Sequence, residues 1–172
     1  MALMRRGRRI FRERHKAFLQ AQPSPGKQTP TRARARGGRP KLLFIEDTVP
    51  LRRLGSGFVR SNDIVHAIDR AGYDVHVFPM NGAPYDVMSL LGDMPARAEV
   101  LYDRAFSDIK AFLSERRGVY QRIWVARTHN LRRLRSLLIE AGNEVPVILD
   151  TEALASCRAA TKATMTRTGF DL

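Results

Sequence analysis

The 172-residue chain holds one cysteine, Cys157, so no intrachain disulfide can form and no thiolate zinc cluster can be built. No apolar run approaches the ~18 residues that a membrane-crossing helix requires. No continuous apolar segment follows the N-terminal charges, which excludes a secretory signal. Acidic residues are nearly missing from the first 41 positions, where 13 Lys and Arg stand against Glu13 alone; the other 131 residues carry 17 basic and 16 acidic side chains. The formal charge of +13 therefore belongs to a tail, and the body is close to neutral. Overall charge thus gives no reason to expect a fold that binds a specific nucleic acid. What is present is enough apolar material, 44% of residues, to build the core of one domain. A soluble, cytoplasmic protein of a reducing compartment is the expectation, with no metal and no cofactor.

In the tail, Leu3, Ile10, Phe11, Ala17 and Phe18 recur at about seven-residue spacing among arginines. On a helix this makes one apolar stripe with Arg around the rest, so residues 1–20 are expected to form a basic amphipathic helix. An anionic membrane surface, at the inner face of the membrane, fits such a helix. A transit peptide, a non-specific RNA tether or a plain solvated connector has a similar composition. Residues 21–40 are rich in Pro, Gly, Thr and Arg and read as a flexible linker.

From Lys41 the pattern changes. Leu42–Ile45 is a short apolar run, as in a strand buried on both faces. Apolar residues at helical spacing follow over 58–71, closed by Gly72. Tyr73–Phe78 reads as a second strand before Pro79, and Glu99–Tyr102 as a weak third. A helix over 106–117, a strand over 122–126, a helix over 131–141, a strand over 145–149 and a helix from Glu152 complete the series. Strands alternating with helices predict an α/β, Rossmann-like parallel sheet of about five strands, helices on both faces, over residues 41–172.

In such sheets ligands gather outside the carboxyl ends of the strands. There the sequence places Glu46-Asp47, then Gly55-Ser56-Gly57 opening a helix, with Arg60 one turn on. Glycines at a helix start let N–H groups approach a phosphate. A dinucleotide fingerprint is excluded, because Arg60 takes the third glycine position, the second strand ends without an acid, and the glycines lie too far past the first strand. No Gly-Lys-Ser/Thr follows, which excludes a P-loop. The fourth strand ends in Arg127-Thr128-His129-Asn130, read as a loop in which Arg can neutralise phosphate and His can donate to a ligand oxygen. The fifth ends in Asp150-Thr151-Glu152, for which a helix cap is the plain reading. Glu46-Asp47 also invites comparison with phosphoacceptor receiver domains; Asp93 would then be the acceptor, but it ends no convincing strand. A non-catalytic module with a membrane-surface helix is a further alternative.

Several segments in order carry a family resemblance: Leu42-Leu43-Phe44-Ile45-Glu46-Asp47-Thr48-Val49-Pro50 with Gly55-Ser56-Gly57, Ala71–Pro79, Ile123–Asn130, and Ile148–Leu154. Over residues 41–160 or so they resemble the amino-terminal domain of GT-B-fold, retaining nucleotide-sugar glycosyltransferases, glycosyltransferase family 4-like. Thr128 and Leu149 depart from that pattern, which has Pro and Tyr there. The resemblance implies an acceptor-side half of an enzyme of cell-envelope polysaccharide synthesis, lacking the carboxyl-terminal donor domain and weakly active alone. It implies a nucleotide-sugar donor, as substrate, and a glycan or lipid-linked acceptor as partners. It also implies His129 as the catalytic residue, with Asp47, Gly55, Ser56, Gly57, Arg60, Arg127, Asn130, Asp150 and Glu152 binding substrate.

Overall fold

The computed structural model describes residues 2–20, 38–82, 85–140, 145–151 and 161–165. The chain divides into two compact units, Met1–Gly38 and Arg39–Leu172. In the first, helix α1 spans Ala2–Arg14 and α2 spans Lys16–Gln20. The expected linker lies outside the described residues except for its last three positions.

In the second unit the elements run β1 (Lys41–Glu46), α3 (Ser56–Arg70), β2 (Asp74–Pro79), α4 (Val87–Asp93), β3 (Glu99–Val100), α5 (Ile109–Glu115), β4 (Arg122–Ala126), α6 (Thr128–Glu140) and β5 (Val147–Asp150). The five strands form one all-parallel sheet in the order β3-β2-β1-β4-β5, so the α/β Rossmann-like expectation holds. Its strand order is that of dinucleotide-type sheets. Receiver domains have the 2-1-3-4-5 order instead, with their third strand on the other side of β1.

β1 is central and buried throughout, which is why it reads as a continuous apolar run rather than an alternation. Leu42 and Phe44 enter one core cluster with Val65 and Ile68 of α3, Leu90 and Met94 of α4, and Val75 and Val77 of β2. On Phe78, Phe112 and Tyr120 the rings form a chain, with centroids 5.0 and 6.3 Å apart, bringing α5 onto the sheet. A right-handed crossover places the helices that follow β1 and β2 on one face and those that follow β3 and β4 on the other. Lys110 of α5 and Glu140 of α6 pair at 3.2 Å accordingly.

Two elements differ from the sequence reading. The helix expected over 106–117 begins as a 3-10 turn at Phe106–Asp108 and becomes α-helical only from Ile109. The Asp108 carboxylate accepts from the Ala105 N–H at 2.9 Å, so the tight first turn caps itself. β3 is two residues long, because after Leu101 N–H donates to Val77 O at 2.9 Å the chain turns away.

A buried polar network lies in the sheet at β2. Arg116 donates to both oxygens of Glu99, at 2.7 and 2.8 Å, and to His76 Nδ1 at 2.9 Å. An Arg donor at Nδ1 requires the neutral ring with its proton on Nε2. Burial pushes the His76 pKa down to about 4, against the pull of Glu99 and with help from Arg116. The unfolded chain therefore binds a proton that the folded one refuses between about pH 6.5 and 4. Stability from this group is complete above about 6.5 and lost as pH falls through that window. From pH 7.5 to pH 5 the expected loss is about 2 kcal/mol, and His76→Gln should flatten that part of a urea-unfolding series against pH. An equally steep series in the variant would assign the slope to other groups.

Candidate functional site

The strand order reverses between β1 and β4, whose neighbours on either side are reached by crossovers in opposite directions. Sheets of this kind open a crevice at that point, outside the carboxyl ends. β1 delivers Glu46 and Asp47 there, and β4 delivers Arg127 through Asn130.

Glu46 is fully buried, and its carboxylate is saturated. It accepts from Ser61 Oγ at 2.6 Å, the Asp47 N–H at 2.8 Å and Arg127 Nε at 2.7 Å. A buried carboxylate persists only when paired and hydrogen-bonded in this way. Asp47 is partly exposed and meets Arg127 Nε at 3.1 Å, His129 Nε2 at 2.6 Å and Asn130 Nδ2 at 2.8 Å. Asn130 is buried and also donates to Ala126 O at 3.0 Å. Turning its amide over would set an acceptor against these two acceptors, so the side chain is locked. Its Oδ1 has no hydrogen-bond partner.

Arg127 is the single residue between β4 and α6, with φ 71°, the left-handed conformation that costs a non-glycine residue roughly 1–2 kcal/mol. This one-residue turn starts α6 at Thr128. His129 and Asn130 therefore stand in the first helical turn, where the sequence pattern led us to expect a loop. The guanidinium lies 4.8 Å over the Phe58 ring of α3, and the Arg127 N–H donates to Asp150 O at 2.7 Å.

α3 comes to the same rim. Arg60 forms an ion pair with Asp150, the last residue of β5, while Ser61 holds Glu46. Gly55 and Gly57 begin this helix, Gly55 with φ 117° and ψ 179°, a conformation essentially confined to glycine. The intervening loop is packed down: Val49 and Leu51 are buried, and Asn62 Nδ2 donates to Pro50 O at 3.0 Å. A Cβ on Gly55 would meet nothing within 4 Å, so Gly55→Ala should cost only backbone strain, about 1–3 kcal/mol. Gly92→Ala in α4, equally open and without positive φ, should instead gain about 0.5–1 kcal/mol. Thermal unfolding of the two variants checks the contrast, and equal shifts would remove the strain argument.

Of the residues singled out from sequence, Asp47, Arg60, Arg127, His129, Asn130 and Asp150 are gathered here, beside the helix opening at Gly55–Gly57. Glu152 lies outside the described residues, as does the helix for which Asp150 was the expected cap. Asp93 is not at a strand end; its carboxylate accepts from the Arg52 N–H at 2.5 Å and its carbonyl from Asn62 Nδ2 at 2.9 Å, a loop-fixing role. Sequence reasoning missed Glu46 as the anchor and Ser61 as its donor. The available signal was a serine at Ser61, four and seven positions before Val65 and Ile68 on the apolar face of α3. Among the described residues no group of three or more His, Cys, Asp and Glu could hold a metal ion, and no helix is long and apolar enough to cross a membrane.

The rim combines two arginines with three carboxylates, so it is not an anion hole in the simple sense. Its acceptors are Asp47, Asp150 and one nitrogen of His129. Because the ionised Asp47 is an acceptor only, its short contact requires the proton of the neutral imidazole on Nε2, leaving the Nδ1 lone pair for a ligand hydroxyl. Its donors include the opening N–H groups of α3 and α6, which lack intrahelical acceptors. Compared with known proteins, the chain matches no family model, no curated sequence and no solved structure.

Proposed function

We propose that this domain is the acceptor-side wall of a nucleotide-sugar-dependent glycosyl-transfer site. The observation that carries the reading is the Asp47–His129 pair at the switch point, backed by Arg127 and flanked by two helix N-termini. A nucleotide sugar has a diphosphate that suits helix N–H groups and sugar hydroxyls that suit carboxylate and imidazole acceptors. The ordered segments that resemble the family 4-like enzymes point to the same chemistry.

In this reading Asp47 orients the ring and fixes its tautomer, and His129 Nδ1 accepts from a sugar hydroxyl. The resemblance by itself suggests a hydrogen-bond donor at His129; the bond to Asp47 makes an acceptor the better description. Arg127 is a positioning residue, already committed to Glu46 and Asp47, and acts by holding Asp47 in place. Arg60 and Asp150 border the acceptor side.

Calorimetric titration of the full chain with UDP-, GDP- and dTDP-sugars tests the proposal, with donor hydrolysis followed in the same samples and after addition of a donor-binding domain of this enzyme class. Weak binding of one donor is expected. His129→Ala should lower any hydrolysis or transfer by about a hundredfold, the scale of a lost acid–base group, while the unfolding midpoint stays put because the side chain is largely exposed. Absence of binding by all three donors, or unchanged turnover in the variant, would overturn it.

A further inference from the structure

We infer that α1 and α2 form a docking helix for an anionic lipid surface, a binding site separate from the strand-end rim and independent of the glycosyl-transfer reading. The bonding His15 N–H to Phe11 O at 3.0 Å and Leu19 N–H to His15 O at 2.8 Å continues the i to i−4 pattern across the junction of the two helices. The pair therefore works as one rod through Gln20, about 28 Å long at the helical rise.

On that rod residues seven apart lie nearly above one another. Met4, Phe11 and Phe18 make one row, and Ile10 and Ala17 make the row beside it. Met4 is 69% exposed, Ile10 39% and Phe11 54%, a series of large apolar groups offered outward on one side. The opposite side carries Arg5, Arg8, Arg9, Arg12 and Lys16, which border a common groove with Glu13. Only Glu13 offsets them, through Arg9 at 3.9 Å.

Charge complementarity selects the occupant. A cationic face alone would serve any polyanion, RNA included. A cationic face joined to an exposed Met, Ile and Phe row matches an interface that is anionic at its headgroups and apolar just beneath, with the helix lying in its plane. The arginines reach headgroups through their long stems while the apolar row enters the acyl boundary. Phosphate chemistry is shared by lipid headgroups and nucleic acid, but only the lipid surface uses the apolar row.

Co-sedimentation of the full chain with phosphatidylcholine vesicles, with and without roughly one-third phosphatidylserine, provides the test. Binding is expected only to the anionic vesicles, weakening about tenfold as salt rises from about 0.1 to 0.5 M. The double variant I10S/F11S and the double variant R8Q/R12Q should each lower vesicle partitioning about tenfold or more. All four positions are exposed or nearly so, so the fluorescence-monitored unfolding of the body through Trp124 should not move. Equal binding to neutral and anionic vesicles, or no binding to either, would overturn the inference. So would full vesicle binding by I10S/F11S together with single-stranded RNA binding lost in R8Q/R12Q, which would reassign the helix as a polyanion tether.

Discussion

Arg127→Ala should lower the unfolding free energy by about 3–5 kcal/mol, the cost of leaving a buried charge without its partner. Glu46 is completely buried, and Arg127 Nε approaches it at 2.7 Å with only a fifth of the arginine side chain exposed. Removing the guanidinium leaves the carboxylate with Ser61 and one N–H, too little to replace water. The neighbouring Asp47 loses its 3.1 Å contact in the same step. The backbone adds a second component, because alanine at φ 71° retains the left-handed penalty that glycine escapes. Arg127→Gly is therefore expected to be about 1 kcal/mol less destabilising than Arg127→Ala. Neutralising the acid as well, in Glu46→Gln/Arg127→Ala, should recover about 2 kcal/mol, a coupling typical of residues in one network. Urea unfolding followed through Trp124, the only tryptophan, measures all four. A loss below about 1 kcal/mol in Arg127→Ala would put this pair with ordinary surface ion pairs.

Phe44→Ala should cost about 3–5 kcal/mol by a different route. Phe44 is fully buried in the central strand, with Leu42, Val75 and Val77 around it and Val65 of α3 and Leu90 of α4 above. The Trp124 ring stacks beside it at 6.2 Å and 18°. Strands on both sides and helices on top prevent the hole from collapsing, so a cavity term adds to the lost transfer energy. The midpoint should fall by about 10 °C for a chain of this size. Phe44→Leu, which keeps most of the volume, should cost closer to 1.5 kcal/mol. Comparable losses from the two variants would show that the site repacks freely.

These two substitutions also divide what could be read from the chain. Phe44 was legible: a four-residue apolar run ending in two acids has few meanings other than a buried strand of a parallel sheet. Arg127 was legible as a strand-end cation, but not as the clasp of Glu46, and its left-handed backbone was invisible. Arginine has no local preference for that conformation, so a loop was the natural expectation where α6 in fact begins. Likewise the glycines at Gly55 and Gly57 marked a helix opening from sequence, yet only the coordinates show Gly55 in a glycine-only conformation.

The chain by itself determined the alternation of strands and helices, the parallel sheet they imply and the segments that must emerge at its carboxyl edge, because these follow from periodicities within a few residues. Only the tertiary structure decided the β3-β2-β1-β4-β5 order and the pairing of Glu46 with Arg127, Asp47 with His129 and Arg60 with Asp150. Those partners lie 81, 82 and 90 positions apart. Nothing local selects them; they meet because crossovers return β4 and β5 to the free side of β1, and burial then forces each carboxylate to find a cation or a donor within reach.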